Sequence, residues 1–571
     1  MSSPATALTA GGLIAAAVAT VAVGAYGVRL SRTTSDFLVA SRTVGARWNA
    51  AAISGEYLSA ASFLGVAGLI AKYGADALWY PVGFTAGYLG LLLFVSAPLR
   101  RSGAYTVPDF AEFRLGSTRV RTVAMLVVVT VCIFYLIPQY QGAGIALKAL
   151  LGVPVWIGPL AVGGIVIANV VGGGMRSITF VQAFQYWLKL TAVAVPALVL
   201  LMHFTNEHPQ LGGPLPPTVD QQTVVTVETD VVVTVADPTG VTVGGHALES
   251  PGQYTLPEGT TLTLASGAQT PVVTGAPASG EAWIQSGGGL GGNHPLYQVF
   301  SIMVATFLGA MGLPHVLVRF YTNPDGRAAR RTALTVILLL SVFYLFPVLL
   351  GVFARLYVPQ LLVTGKADAA VLLLPSAAIA GLPGDLIGAL VAAGAIAAFL
   401  ATSSGLLVSI AGALSTDVLR GRVSDFRLVA LIAGLVPIPL TLVAPVLDLS
   451  RGVGLAFAVA ASTLCPLLVL GIWWRGLTAA GAIAGLVVGA FTSGVAILVA
   501  VTGWVDDDVL GGWLTTLIGY PAAVTVPLAF ATMILVSRLT RDDLPPDVAR
   551  TFARMHVPER LGMGLERLPR G

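Results

Sequence analysis

The 571-residue chain is 56% hydrophobic by residue count, only 10% charged, and carries a formal net charge of +4. A water-soluble protein of this size has roughly a quarter charged residues, so the composition excludes an ordinary soluble domain and implies an all-α polytopic membrane protein with one membrane domain. The two cysteines, Cys132 and Cys465, lie inside apolar runs, which argues against a disulfide framework and against a transition-metal site.

The first apolar run, 9–29, is followed rather than preceded by its basic residues, Arg29 and Arg32. That order argues against a cleaved signal peptide and for a first span with its N-terminus outside. Further runs of about 20 apolar residues, the length that crosses a bilayer, occur near 48–70, 78–98, 120–148, 155–174, 183–204, 296–316, 331–357, 385–414, 427–447, 452–474, 479–502 and 514–537. Thirteen spans are therefore expected. With this orientation the inner loops hold nearly all the arginines, including Arg100, Arg101, Arg114, Arg121, Arg319 and Arg420, while the outer loops hold only Lys72, Lys148, Arg355, Lys366 and Arg451. The asymmetry follows the positive-inside rule and places the C-terminus in the cytoplasm of a plasma-membrane protein. Lys189 is left within a helix.

Four segments follow: membrane helices over 1–204, an insertion over 205–295, membrane helices over 296–538, and a basic cytoplasmic tail over 539–571. The insertion falls outside and has no lysine or arginine. Its "TVVTVETDVVVTVADPTGVTVGG" alternates valine and threonine between turn residues, which predicts short strands and hairpins. A small extracellular β-rich module is expected, with a variable loop or a site for an extracellular partner as its roles.

Span two reads "ISGEYLSAASFLGVAG". Its polar groups predict a face toward a cavity or another helix, and Gly55 and Gly65 weaken the helix where Ser54, Ser59 and Ser62 offer oxygens. Span nine carries three consecutive hydroxyls, Thr402, Ser403 and Ser404, in "FLATSSGLL". Hydroxyl and carbonyl oxygens are hard ligands suited to an alkali cation, so the two spans suggest one cation site between them. Tight helix packing by small residues is the competing explanation.

Together "SGEYLSAASFLG", "YTVPDFAEFRLG", "GGGMRSITFVQAFQYW", "GAMGLPHVLVRFYT" and "ATSSGLLVSIAGALSTDVL" resemble the sodium:solute symporter family, most of all its cation/acetate and monocarboxylate branch. The resemblance implies a LeuT-like fold of 5+5 inverted repeats, spans two to six and seven to eleven, with spans two and seven broken. It implies a cation site from the carbonyls of Gly55, Leu58, Ala398 and Ala401 and the hydroxyl of Thr402. Many relatives have serine at 398 and 401; Ser403 and Ser404 compensate here only with a shifted helical register. Gln182 stands where many relatives have an aspartate, so an additional sodium site is not expected.

Lys189 lies two turns from Gln182 on the same face, about 10 Å along the helix. A lysine at this depth is costly as a cation, and in one branch of the fold a lysine on this helix takes over the role of sodium. Lys189 and Glu56 are thus proton-coupling candidates, with a Glu56–Lys189 pair or snorkelling of Lys189 as structural alternatives. Substrate is expected beside the two breaks, at Ser59, Ala60 and Ser62, at Thr306 and Gly309, and at Tyr135, Gln139 and Gln185. His315 is read as a structural residue on the cytoplasmic side, and Asp109 as a gate or a partner of Arg114.

The resemblance implies secondary active import of an acetate-, propionate- or pyruvate-class acid, coupled to sodium by alternating access, or to protons through Lys189. No organic cofactor or nucleic acid is expected. A sensor or channel on the same fold is the alternative from another class. No P-loop, HExxH, GxSxG or paired catalytic carboxylates occur, so no enzyme is expected.

Overall fold

In lipid a segment must satisfy its own backbone, so apolar runs fold as helices. The computed structural model describes residues 4–29, 37, 40–207, 211–227, 229–363, 367–419, 422–443, 449–502 and 512–558; Arg32, Lys366, Arg420 and tail residues 559–571 lie outside the described residues. The helices that position the site are α1 (Pro4–Val28), α2 (Ala46–Tyr57), α3 (Val66–Tyr73), α4 (Trp79–Gly90), α5 (Ser96–Ser102), α6 (Val107–Leu115), α7 (Thr118–Leu151) and α8 (Ile157–Glu207). After the insertion come α9 (Gly280–Ile284), α10 (Pro295–Gly312), α11 (Pro314–Phe320), α12 (Gly326–Tyr357), α13 (Ala370–Ala378), α14 (Leu382–Asp417), α15 (Val423–Leu435), α16 (Pro437–Val443), α17 (Leu449–Ser462), α18 (Leu464–Trp473), α19 (Ala479–Thr502), α20 (Trp513–Gly519), α21 (Ala522–Leu539) and α22 (Val548–His556).

Among the described residues eleven helical stretches are long and apolar enough to cross a membrane, against the thirteen expected. Two account for the difference. Ala61–Ser102 and Ile157–Asn206 contain 42 and 50 residues, about 60–75 Å of helix and so about twice the hydrocarbon core. Each covers two expected spans and is interrupted by a glycine in the left-handed region, Gly74 (φ +64°) and Gly174 (φ +55°). The first half of span two, α2, has only 12 residues because its helix stops at Tyr57.

The insertion is β-rich. Strands β1 (Thr223–Thr226), β2 (Val231–Val235), β3 (Val241–Val243), β4 (His246–Ala247), β5 (Gly252–Leu256), β6 (Thr261–Leu264) and β7 (Val272–Val273) form two antiparallel sheets, ordered β1-β6-β3-β4 and β5-β2-β7. Alternation along β2 sends Val231, Val233 and Val235 inward. They meet Leu256, Leu262 and Leu264, and Val363 from the membrane part enters the same core.

The chain returns from the insertion through a latch. Trp283 of α9 donates from Nε1 to the Ile70 carbonyl at 2.7 Å, and the Arg355 guanidinium lies 5.2 Å over its ring. Arg355 also donates to the carbonyls of Ala71, Pro277 and Ala278. The Asp76 carboxylate accepts from the backbone of Gly287 and Gly289. Gly74 must be glycine twice over, for its positive φ and because a Cβ would overlap the Trp283 carbonyl.

At the opposite end Arg121 bridges Glu112 and Asp417, at 2.5 Å to each. Asp109 does not pair with Arg114, as expected from their spacing; it accepts from the Tyr105 backbone and lies 3.9 Å from Arg121. Arg114 instead donates to the carbonyls of Gly471, Trp474 and Arg475. Burial pushes its guanidinium down to about 10, so it stays charged at neutral pH.

Candidate functional site

Span two breaks in mid-bundle. α2 ends at Tyr57, and Leu58 adopts φ −72° and ψ 81°. The Ser59 amide, which a continuous helix would give to the Gly55 carbonyl, turns to the Tyr57 carbonyl at 2.8 Å. Helix resumes at Ala60 through a π-type turn over Ala61–Gly65. The break leaves carbonyl oxygens facing inward with no helical partner. Close approach makes it possible: a Cβ on Gly55 would overlap the Gln182 carbonyl of α8.

The freed carbonyls are taken by a side chain of the protein itself. Lys189 of α8 is fully buried and donates from Nζ to the Gly55 carbonyl and, at 2.6 Å, to the Leu58 carbonyl. These are the two span-two oxygens that the resemblance assigned to a cation. From α14, the Ala401 carbonyl accepts from Gln182 Nε2 at 2.8 Å, and the Thr402 hydroxyl donates to the Glu56 carbonyl at 2.6 Å. Ala398, Ser403 and Ser404 are buried on the same helix, and the Ser403 hydroxyl has no hydrogen-bond partner among the described residues. A sodium ion fits here only by displacing the lysine.

Glu56 does not pair with Lys189. Its Oε2 accepts from Arg319 Nε at 2.6 Å, with both side chains almost wholly buried. Arg319 also donates to the Thr179 hydroxyl at 2.7 Å and to the Gln182 amide oxygen, while its own carbonyl accepts from Asn49. The arginine read as an inner-loop residue is thus a central strut. Span seven breaks beside it: α10 stops at Gly312, Leu313 is extended (φ −70°, ψ 116°), and α11 starts at Pro314, which carries no N–H to lose.

A cluster of buried polar side chains lies between the two breaks. The Ala60 amide donates to Gln139 Oε1 at 3.3 Å, and Ser62 bonds the Tyr344 hydroxyl at 2.8 Å. Tyr57, Phe84, Tyr135 and Phe457 pack edge-on or tilted around it. His315 was expected on the cytoplasmic side. It is fully buried, with its ring 5.4 Å from Tyr135, edge to face.

Three further residues expected at the substrate make other contacts. Gln185 donates to Thr20 of α1 at 3.2 Å and so faces the first helix. Thr306 bonds back to the Ile302 carbonyl at 2.7 Å and fills the space above Gly83, while a Cβ on Gly309 would sit 2.5 Å from the Phe457 carbonyl. Reading the sequence missed Arg319, His315 and Tyr344; "PHVLVR" carried a signal in its two polar residues four apart, which share a helix face.

A Na+-coupled sialic acid symporter, solved substrate-bound and outward-open, superposes with a TM-score of 0.63 at 14% identity, covering 93% of this chain and 97% of that one. This chain is 30% identical over 564 residues to a monocarboxylic acid transporter of Corynebacterium glutamicum, covering 95% of this chain and 93% of that protein. It is 29% identical over 563 residues to the uncharacterised symporter YwcA of Bacillus subtilis, covering 96% and 97%. The family model described as "Sodium:solute symporter family" matches residues 37–239 and 290–489. The chain is a multi-pass membrane transport protein and belongs to the sodium:solute symporter family.

Proposed function

We propose that the protein imports a short-chain monocarboxylate by alternating access on a 5+5 inverted repeat, and that the Lys189 ammonium serves as a tethered coupling cation. The observation that carries this is the seating of Nζ on the Gly55 and Leu58 carbonyls. Protonated Lys189 ties the broken span two to α8; loss of the proton removes the charge that holds those oxygens. Coupling then arises because the two conformations hold the proton with different affinity.

Charge balance supports an anionic substrate. Glu56 and Arg319 neutralise each other, so protonated Lys189 leaves one positive charge in the middle of the bundle. A monocarboxylate restores neutrality, and buried charge is tolerated only when compensated. One proton and one carboxylate move together without net charge. A gradient of one pH unit then supports about tenfold accumulation, at about 1.4 kcal/mol per unit. The monocarboxylic acid transporter among the relatives supports the same substrate class.

Sodium coupling is the second reading, favoured by the family's description and the Na+-coupled neighbour. It requires Lys189 to withdraw and Thr402, with the Ala398 and Ala401 carbonyls, to complete the shell. Uptake of labelled acetate, propionate and pyruvate into proteoliposomes, with sodium and pH gradients imposed separately, decides between them. Uptake that follows the pH gradient and is lost in Lys189→Ala supports the lysine reading. Uptake that follows sodium and is lost in Thr402→Ala supports the other.

A further inference from the structure

Neither ring nitrogen of His315 has a hydrogen-bond partner among the described residues, although the side chain is wholly buried. The amide nitrogen of Gln139 is in the same condition. Buried polar atoms of a native protein are nearly always satisfied, and an exception calls for a specific explanation. The two side chains flank one place. Gln139 and Tyr135 stand one turn apart on α7, Gln139 against the Ala60 amide and Tyr135 against the His315 ring. His315 is the second residue after the span-seven break.

We propose that His315 is a specificity-determining residue that reads an oxygen on C2 of the substrate, so that the site selects 2-oxo and 2-hydroxy monocarboxylates over plain short-chain acids. The inference rests on the monocarboxylate reading above. The substrate carboxylate accepts from Gln139 Nε2 and from the Ala60 amide, which the glutamine oxygen releases. The C2 oxygen then meets the imidazole, which donates to a carbonyl and either donates to or accepts from a hydroxyl. Tyr135, edge-on to the ring, holds the imidazole in orientation. The neighbouring rings of Tyr57, Phe84 and Phe457 take the methyl end. Propionate has the same carbon skeleton as pyruvate and lactate but leaves the imidazole unpaired, and a site built to bond an oxygen rejects the analogue that lacks it.

The test compares labelled pyruvate, lactate and propionate in proteoliposomes containing wild-type protein, His315→Leu and His315→Gln. In the wild type the KM for pyruvate and lactate is lower than that for propionate by about tenfold or more. His315→Leu raises the KM of the two oxygenated acids by about tenfold or more relative to that of propionate, so the preference is lost; His315→Gln, which keeps a donor and an acceptor, restores part of it. Equal loss of all three substrates in His315→Leu with no recovery in His315→Gln marks a structural residue and overturns the proposal, as does a wild type without preference. Absence of uptake of every acid by the wild type overturns the monocarboxylate reading itself, and this inference with it.

Discussion

The Nζ atom of Lys189 stands 2.6 Å from the carbonyl oxygen of Leu58, and the same nitrogen donates to Gly55. The residues come from helices 131 positions apart in sequence, and the contact exists only because span two is unwound between Tyr57 and Ala60. A continuous helix would have used those carbonyls itself.

Replacing the lysine exposes what it neutralises. Lys189→Ala deletes two charge-assisted hydrogen bonds, each about 1.5–3 kcal/mol, and leaves two buried carbonyls open. Uptake driven by a pH gradient should fall by at least about tenfold. Thermal unfolding in detergent should become sodium-dependent in the variant and not in the wild type, because a small cation can now occupy the oxygens. Equal sodium stabilisation of both proteins would contradict the tethered-cation account.

The Glu56–Arg319 pair should behave as one unit. Removing one partner of a buried ion pair leaves an uncompensated charge and costs about 3–5 kcal/mol. Glu56→Gln and Arg319→Gln are each expected to be strongly destabilised, with little uptake. The double variant should be less destabilised than the two singles summed, by more than about 0.5 kcal/mol, the usual limit of additivity for independent sites. Additive losses in denaturation would show that the two residues act separately.

Glycines can be ranked by what surrounds them. A methyl at Gly55 meets the Gln182 carbonyl, and one at Gly405 meets the Glu56 carboxylate. Gly55→Ala and Gly405→Ala should therefore abolish uptake or folding. Gly11→Ala on α1, with nothing within 4 Å, should be neutral or stabilising by up to about 1 kcal/mol. Fluorescence-detected size-exclusion profiles after heating read all three. Comparable melting of Gly55→Ala and Gly11→Ala would refute the close packing at the break.

The insertion should detach when its latch is cut. Trp283→Ala removes the bond to Ile70 and the ring under Arg355, a change of the large-to-small kind that costs about 3–5 kcal/mol in a core. Limited proteolysis in the glycine-rich stretch 287–292 should accelerate at least about tenfold relative to wild type. An unchanged cleavage rate would mean that the tryptophan does not hold the insertion down.

Much of this arrangement could be read before any coordinates. The resemblance implied the span-seven break, and Gly309, Gly312 and Pro314 are compatible with it because glycine and proline weaken a helix locally; the valine–threonine alternation marked the strands. Lys189 stood out because the other lysines and arginines of the apolar runs lie at their ends. Arg319 did not, because charge counting assigns every arginine near a helix end to a loop; the broken helix draws this one inward to Glu56. Gln185 was placed at the pocket, but the sequence of a helix does not name the neighbour that meets each face, and the partner of Gln185 is Thr20 of α1. The strand order β1-β6-β3-β4 was equally hidden, since every strand has the same two-residue pattern.

The most direct test of the lysine's role is a record of internal pH in sodium-free proteoliposomes, loaded with a pH-sensitive dye, after external pyruvate is added with the membrane potential clamped at zero. Acidification that tracks pyruvate entry, about one proton per molecule, and that disappears in Lys189→Ala is the predicted result. Pyruvate entry that begins only when sodium is supplied and leaves the internal pH unchanged would contradict it.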